Sequence, residues 1–402
     1  MDKYFFVLGR YPEISLAEIQ TVLKKNNLEF STDFHSLEIA VFSLPSSTDL
    51  SKIFHSLGGS IKFGKVLGEV SYDEKETAFL EFLEYSYLKA NILPASIRKV
   101  HFGISVYDGG SPKEIISRLI GNLKDFNNTI KENLKSANIP SGYLKIKERS
   151  LSSVAVVKNE LINKGFELIL MALAQNLLIG KTLAVQDFSA FAKRDMLRPA
   201  KDKKSGILPV KLARIMVNLL PVTPRILLDP FCGSGTILME AALLGIKNLI
   251  ASDISERAVS DTRKNMDWVF KQENLDKSGF KTDFRIIDAR NLDNLIGNGK
   301  ADAIVTEPFL GPPFYRQPDE FQSRKILSGL IPLYSQSLNI FHKILTSGGN
   351  IVMVFPFIQS RGKNIFMDKK IINPSQFKII SSLLYSSQGQ FVGRELVILS
   401  KI

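Results

Sequence analysis

Apolar positions recur along this chain with two different periods, and the places where the period changes mark out its elements. Near the start an apolar run at 4–9 reads as a strand, and Ser15-Leu16-Ala17-Glu18 forms a capping-box pattern that predicts a helix ending near Lys25. Short strands follow at 37–44 and 61–70. A second stretch opens at 100–107, where Phe102, Ile104 and Val106 alternate with small or polar residues as a half-buried strand requires. After Gly109-Gly110, the sequence Ser111-Pro112-Lys113-Glu114 supplies an N-cap, a proline for the first helical position and an early acid. Helical spacing places Ile115, Ile116, Leu119, Ile120, Leu123, Phe126, Ile130 and Leu134 on one face, with Gly121 and Asn127-Asn128 as expected break points. Strands at 143–147 and 153–157, a helix at 164–178 and a strand at 182–186 complete this stretch.

From 207 onward, strand and helix signals alternate. Strands read at 225–229, 248–253, 284–288, 301–306, 350–355, 377–384 and 392–399, with helices between most of them. Such alternation predicts a mostly parallel seven-stranded sheet covered on both faces. The expected fold is therefore α/β, with an N-terminal α/β module at 1–97, a second α/β module at 98–187, a basic linker at 188–206 and a catalytic domain at 207–402.

Composition narrows the class. The 402 residues are 45% hydrophobic and 23% charged, enough for a large core and more than one domain. No apolar run reaches the roughly 18 residues of a membrane span, and the first residues lack a secretory signal, so a soluble, cytoplasmic protein is expected. A single cysteine, Cys232, allows no internal disulfide, and four scattered histidines give no zinc spacing, so no metal is expected. The net charge of +12 is uneven: residues 98–215 hold 21 basic against 10 acidic side chains, whereas 1–97 are net acidic. Such a local excess is the footprint of a polyanion-binding module or, alternatively, a solvated basic surface. Its candidate contacts are Lys113, Lys124, Lys131 and Lys135 beside the apolar helix face, and Arg194, Arg198, Lys203 and Lys204 in the expected linker.

The strongest chemical signal is Ile226-Leu227-Leu228-Asp229-Pro230-Phe231-Cys232-Gly233-Ser234-Gly235-Thr236, a buried strand running into a glycine turn and a helix. Glycines there let a ligand approach the backbone at the carboxyl edge of a sheet. It is neither a dinucleotide fingerprint, since Leu238 holds the third glycine position, nor a phosphate loop, since no Gly-Lys follows. Asp253 ends the next strand, where a carboxylate can accept both hydroxyls of a ribose, and Asp288, beside Ala289, can accept from an adenine amine. After the fourth strand comes Thr306-Glu307-Pro308-Phe309-Leu310-Gly311-Pro312-Pro313-Phe314-Tyr315. An acid on a rigid proline turn among aromatics suits gripping a planar base by its exocyclic amine while a ring stacks on it.

The glycine turn and the proline motif together resemble the S-adenosylmethionine (SAM)-dependent amino-methyltransferases of the Rossmann-like class I. Arg194-Asp195, Arg198-Pro199 and the run Ser205-Gly206-Ile207-Leu208-Pro209-Val210-Lys211-Leu212-Ala213 narrow the likeness to the THUMP-containing tRNA guanosine-N2 methyltransferases, whose best-known members modify position 10. The opening residues 4–10 and the strand at 101–107 are similar to that family's N-terminal and THUMP regions. The resemblance implies SAM as cofactor, with Asp229, Phe231, Gly233, Gly235 and Thr236 around its methionine part, Asp253 and Ile254 at the ribose, and Asp288 and Ala289 at the adenine. It also implies catalysis by Glu307, Pro308 and Phe309. The family motif is Asp-Pro-Pro-Tyr, whereas this chain has Glu307-Pro308-Phe309-Leu310, so Phe309, Phe314 or Tyr315 must supply the stacking ring.

The expected activity is methyl transfer from SAM to the N2 amine of a guanosine in tRNA, by direct in-line attack without a covalent cysteine intermediate. A DNA or ribosomal RNA amino-methyltransferase, and a catalytically inactive tRNA-binding chaperone, stand as alternatives. The sequence leaves open the nucleotide, the number of methyl groups and any activating protein partner.

Overall fold

The computed structural model describes residues 1–46, 48–72, 77–94, 99–146, 148–201, 207–297, 299–314, 316–386 and 389–402. Two compact units emerge, one made of Met1–Leu16 with Asn26–Phe188 and the other of Ala17–Lys25 with Ser189–Ile402.

The first unit is built on strands β1 (Asp2–Leu8), β2 (Ser31–His35), β3 (Ile39–Leu44), β4 (Ser60–Ser71), β5 (Val100–Asp108), β6 (Ser141–Tyr143), β7 (Phe166–Ala172) and β8 (Asn176–Val185). They form one sheet in the order β2-β3-β1-β4-β8-β7-β5-β6. The sheet therefore runs across the division expected at 97/98, because the long strand β4 pairs with β1 on one edge and with β8 on the other. A buried polar cluster reinforces that junction: Lys62 of β4 donates to Glu167 of β7 at 2.5 Å, and Glu167 also accepts from Ser105 of β5 and Thr182 of β8.

The helix Lys113–Ser136 is unbroken through both expected break points. Gly121 is exposed, and the Asn127 amide donates to the Leu123 carbonyl at 2.6 Å. The roughly 1 kcal/mol that a mid-helix glycine costs is smaller than the gain from burying Leu119, Leu123, Ile130 and Leu134.

Two expected elements change type. The helix expected at 164–178 is the hairpin of β7 and β8. Every residue of β7 is buried, and a run that is apolar at all positions but Glu167 carries no clear period by which helix and strand can be told apart. The strand expected at 153–157 is the short helix Ser153–Lys158, capped by Ser152, whose hydroxyl accepts from the Ala155 N–H.

The second unit carries β9 (Ile226–Asp229), β10 (Asn248–Asp253), β11 (Lys281–Ile286), β12 (Ala301–Thr306), β13 (Leu345–Ser360), β14 (Lys363–Phe366), β15 (Phe377–Tyr385) and β16 (Val392–Lys401). Seven of these make a sheet in the order β11-β10-β9-β12-β13-β16-β15, with β14 folded back on β13. The strands from β11 to β13 are mutually parallel, and β16 runs antiparallel to both its neighbours. This is the expected seven-stranded, Rossmann-like arrangement. Chain order reverses between β9 and β12, so the loops leaving their carboxyl ends diverge and open a crevice, where sheets of this kind bind ligands.

The described part of the segment expected to be a basic linker is folded. Phe188–Met196 is a helix, and Phe191, Arg194 and Arg198 are buried. Arg194 and Arg214 both bind the fully buried Glu240, at 2.7 and 2.6 Å, and both guanidinium groups lie over the Phe191 ring. Arg198 donates to Thr236 at 2.8 Å. Arg194 and Arg198 thus serve the interior and are not presented to a phosphate backbone. Lys203 and Lys204 lie outside the described residues.

Candidate active site

The site begins where β9 ends. Leu227 and Leu228 bury the strand, and Asp229 at its carboxyl end is only 1% exposed. Its carboxylate accepts from the Phe231 N–H at 3.2 Å and from the Thr306 hydroxyl of β12 at 2.7 Å. Burial pushes the Asp229 carboxyl up to about 7; those two hydrogen bonds oppose the rise, and the charges of Asp253 and Glu307 add to it. The turn that follows needs its glycines. Gly233 and Gly235 have φ of +51° and +78°, and a Cβ on Gly235 would stand 2.8 Å from the Thr262 side chain. Gly235 then leads into the helix Thr236–Leu243.

Asp253, at the end of β10, holds the turn from the other side, accepting from the Gly233 N–H at 3.1 Å and the Ser255 N–H at 2.9 Å. Cys232 is buried within the turn and also borders the cavity; desolvation pushes its thiol upward, and the Thr262 hydroxyl donates to its sulfur. A thiol held neutral in this way is a poor nucleophile.

The loop after β12 supplies the opposite wall. Pro308 is buried, and the Phe309 ring is 54% exposed while its carbonyl accepts from Tyr334 at 3.2 Å. Tyr334 is itself fully buried on the helix Glu320–Ile344. Phe314 packs against the core, so Phe309 is the available ring; Tyr315 lies outside the described residues. Glu307 is gripped by Arg394 of β16, whose Nε and Nη2 donate to its two oxygens at 2.6 and 3.2 Å.

These walls enclose a cavity of about 420 Å³, within the range of small-molecule sites. Asp229, Phe231, Gly233, Thr236, Asp253 and Ile254 line it, and so do Glu307, Pro308 and Phe309. Sequence reasoning missed Leu208, Ser255, Arg257, Ala258 and Asp261, which also face it. Ser255 had a legible signal, since its hydroxyl caps the next helix by accepting from the Ala258 N–H.

The structure does not bring Asp288 and Ala289 to this cavity. β11 stops at Ile286, and Asp288 caps a short turn with its carboxylate held by Arg290 at 2.5 Å, which lowers its pKa. Ala289 is buried beside it. Gly235 shapes the turn without lining the cavity.

Arg198 bears on what the cavity can hold. It is 2% exposed, its Nη1 donates to the lining residue Thr236, and its Nε and Nη2 have no partner among the described residues. Arg198 does not itself line the cavity, and Asp195 and Glu240 already lie close enough to favour its charge; its spare donors can still serve an anion such as the carboxylate at the amino-acid end of SAM. The residues present therefore fit that cofactor.

Residues 198–361 match a family model described as "RMKL-like, methyltransferase domain". The chain is 28% identical to the tRNA (guanine(10)-N2)-dimethyltransferase of Methanothermobacter thermautotrophicus over 89% of both chains. It is 40% identical to the protein of that name from Methanocaldococcus jannaschii, over 33% of this chain and 37% of that one. Among solved structures, TrmN from Thermus thermophilus superposes with a TM-score of 0.57 over 100% of both chains at 17% identity, which supports the fold. With the cavity at the carboxyl edge of its sheet and these relatives, the chain is a SAM-dependent enzyme that carries a methyltransferase domain and is similar over most of its length to a tRNA (guanine(10)-N2)-dimethyltransferase.

Proposed function

We propose that this protein transfers the methyl group of SAM to the exocyclic N2 of a guanosine in tRNA, within the cavity bounded by the turn after β9, the end of β10 and the loop after β12. The observation that carries this reading is the convergence of Asp229, Asp253 and the Glu307-Pro308-Phe309 segment on one cavity. When bound, SAM supplies an electrophilic methyl on a sulfonium. Asp229 would hold the cofactor's ammonium and Arg198 its carboxylate, while Asp253 would accept from the ribose hydroxyls and Ile254 would offer an apolar surface.

The exocyclic amine is a weak nucleophile because its lone pair is delocalised into the base. The protein must therefore hold the nitrogen in line with the methyl, a task of proximity and orientation. Glu307 accepts amine hydrogens as positive charge develops, and the exposed Phe309 ring stacks on the base. Pro308 has no N–H, so the turn presents only acceptors to the amine.

The first unit, read as THUMP-like, would hold the tRNA. Lys113, Lys124, Lys131 and Lys135 are all exposed along its 24-residue helix, where they can meet phosphates. The relatives' names direct the finer proposal to nucleotide 10 and to two successive transfers. The test is labelled methyl transfer to unmodified tRNA followed by nucleoside analysis. N2-methylated and N2,N2-dimethylated guanosine at nucleotide 10 is the expected product; methyl groups on adenine, or on none of the tRNA, would overturn the reading.

A further inference from the structure

We infer that Arg394 is a positioning residue for methyl transfer, acting by fixing the Glu307 carboxylate; this rests on the function proposed above. Glu307 is one methylene longer than the aspartate of the motif it resembles, so its carboxylate has one more torsion to freeze before it can meet an amine. The guanidinium of Arg394 takes both of its oxygens, at 2.6 and 3.2 Å. The side chains are 10% and 16% exposed respectively, so solvent does little to loosen the pair. A planar fork meeting a carboxylate in this way fixes direction as well as distance.

The backbone that carries the fork is held on both sides. Arg394 sits in β16 opposite Pro356 of β13 and Tyr385 of β15. β13 in turn pairs with β12, whose end launches Glu307. Position is thus transmitted to the acid through sheet backbone rather than through a loop.

Each carboxylate oxygen has two lone-pair sites, and the fork uses one on each. The remaining sites can accept amine hydrogens. Held in this way, Glu307 serves as a fixed acceptor that aims the nitrogen, and the departing proton goes to water.

Arg394→Met, Arg394→Lys, Glu307→Gln and the double variant Arg394→Met/Glu307→Gln would be compared by single-turnover methyl transfer to tRNA and by calorimetric binding of S-adenosylhomocysteine. Arg394→Met should slow transfer about a hundredfold, as loss of a positioned group does, with S-adenosylhomocysteine affinity within about twofold of the parent. Arg394→Lys, which keeps the charge and loses the fork, should recover part of the rate. The double variant should be no slower than Glu307→Gln alone, because Arg394 acts through that acid. Transfer by Arg394→Met at the parental rate would overturn the inference, as would a double variant slowed by the product of the single effects. If Arg394→Met fails to bind S-adenosylhomocysteine, Arg394→Lys decides: a parental rate there overturns the inference and an intermediate rate supports it. A parent that methylates no tRNA would overturn the proposed function together with this inference, whereas the other refuting outcomes strike the inference alone.

Discussion

Affinity for S-adenosylhomocysteine should rise between about pH 6 and about pH 8, with Asp229 as the source. Its carboxyl is pushed up to about 7 chiefly by complete burial, and the acids Asp253 and Glu307 push the same way. Near neutrality the empty site therefore holds a mixture of acid and carboxylate. The ligand's ammonium favours the carboxylate, so binding draws on the ionised fraction, which for a pKa near 7 grows about tenfold from pH 6 to pH 8. The corresponding change in binding free energy is about 1.4 kcal/mol. Calorimetry in two buffers of different ionisation enthalpy should find about half a proton released per ligand at pH 7. Asp229→Asn should flatten the profile and abolish that release, leaving only the ligand's own titration. The sign for stability is opposite. Because the folded pKa lies above the unfolded one, the ligand-free folded state carries an extra proton, and stability falls as pH rises from about 4 through about 7. A parent whose affinity stays flat across this range, or an Asp229→Asn variant that keeps the parental slope, would refute the argument.

Arg198→Met should weaken S-adenosylhomocysteine binding at least about tenfold, the loss expected for charge-assisted hydrogen bonds, while 5′-methylthioadenosine, which lacks the carboxylate, should bind both proteins equally; parallel losses for the two ligands would remove Arg198 from the cofactor site. Charge reversal at Lys131 and Lys135, both exposed, should weaken tRNA binding and reduce its dependence on salt while leaving S-adenosylhomocysteine affinity intact. Unchanged tRNA binding would mark that helix face as merely solvated. Cys232, buried and with its thiol pKa raised, should resist alkylation in the folded protein, and Cys232→Ser should retain methyl transfer; rapid alkylation that abolishes activity would contradict the neutral, structural role of this thiol.

The second unit was legible in the sequence because buried parallel strands announce themselves as apolar runs and their covering helices as a different period. Each of its seven expected strands has a counterpart in the sheet, with ends displaced by at most five residues. Legibility ended where the period carried no information. Residues 166–172 are apolar apart from Glu167 and buried throughout, and only pairing with β5 and β8 decides that they are strand. In the site, Asp229 and Asp253 were legible because acids at the carboxyl ends of adjacent strands face one crevice. Asp288 misled because β11 ends two residues before it, which turns the carboxylate toward Arg290. Arg394 was out of reach because it is 87 residues from its partner Glu307, and nothing local in either segment announces a pairing across β13.

Charge was the least transparent signal, since residue type says nothing about where a cation points. Part of the mid-chain basic excess is interior: Arg194 and Arg214 share Glu240, and Arg198 lies buried against Thr236. A buried guanidinium is retained only where acids or acceptors compensate it, so these three cannot belong to an electrostatic footprint that a polyanion would meet. Among the described candidate contacts, the cations open to a polyanion are those of the first unit, where Lys113, Lys124, Lys131 and Lys135 stand exposed on a helix whose other face is fixed in the core by Leu119, Leu123, Ile130 and Leu134. Because the helix is continuous through Gly121 and Asn127, those lysines keep a fixed spacing, as a phosphate backbone of regular repeat requires. A binding loss confined to Lys131 and Lys135 would therefore report a rigid docking face, and it would do so independently of the arginines that the fold has already taken for itself.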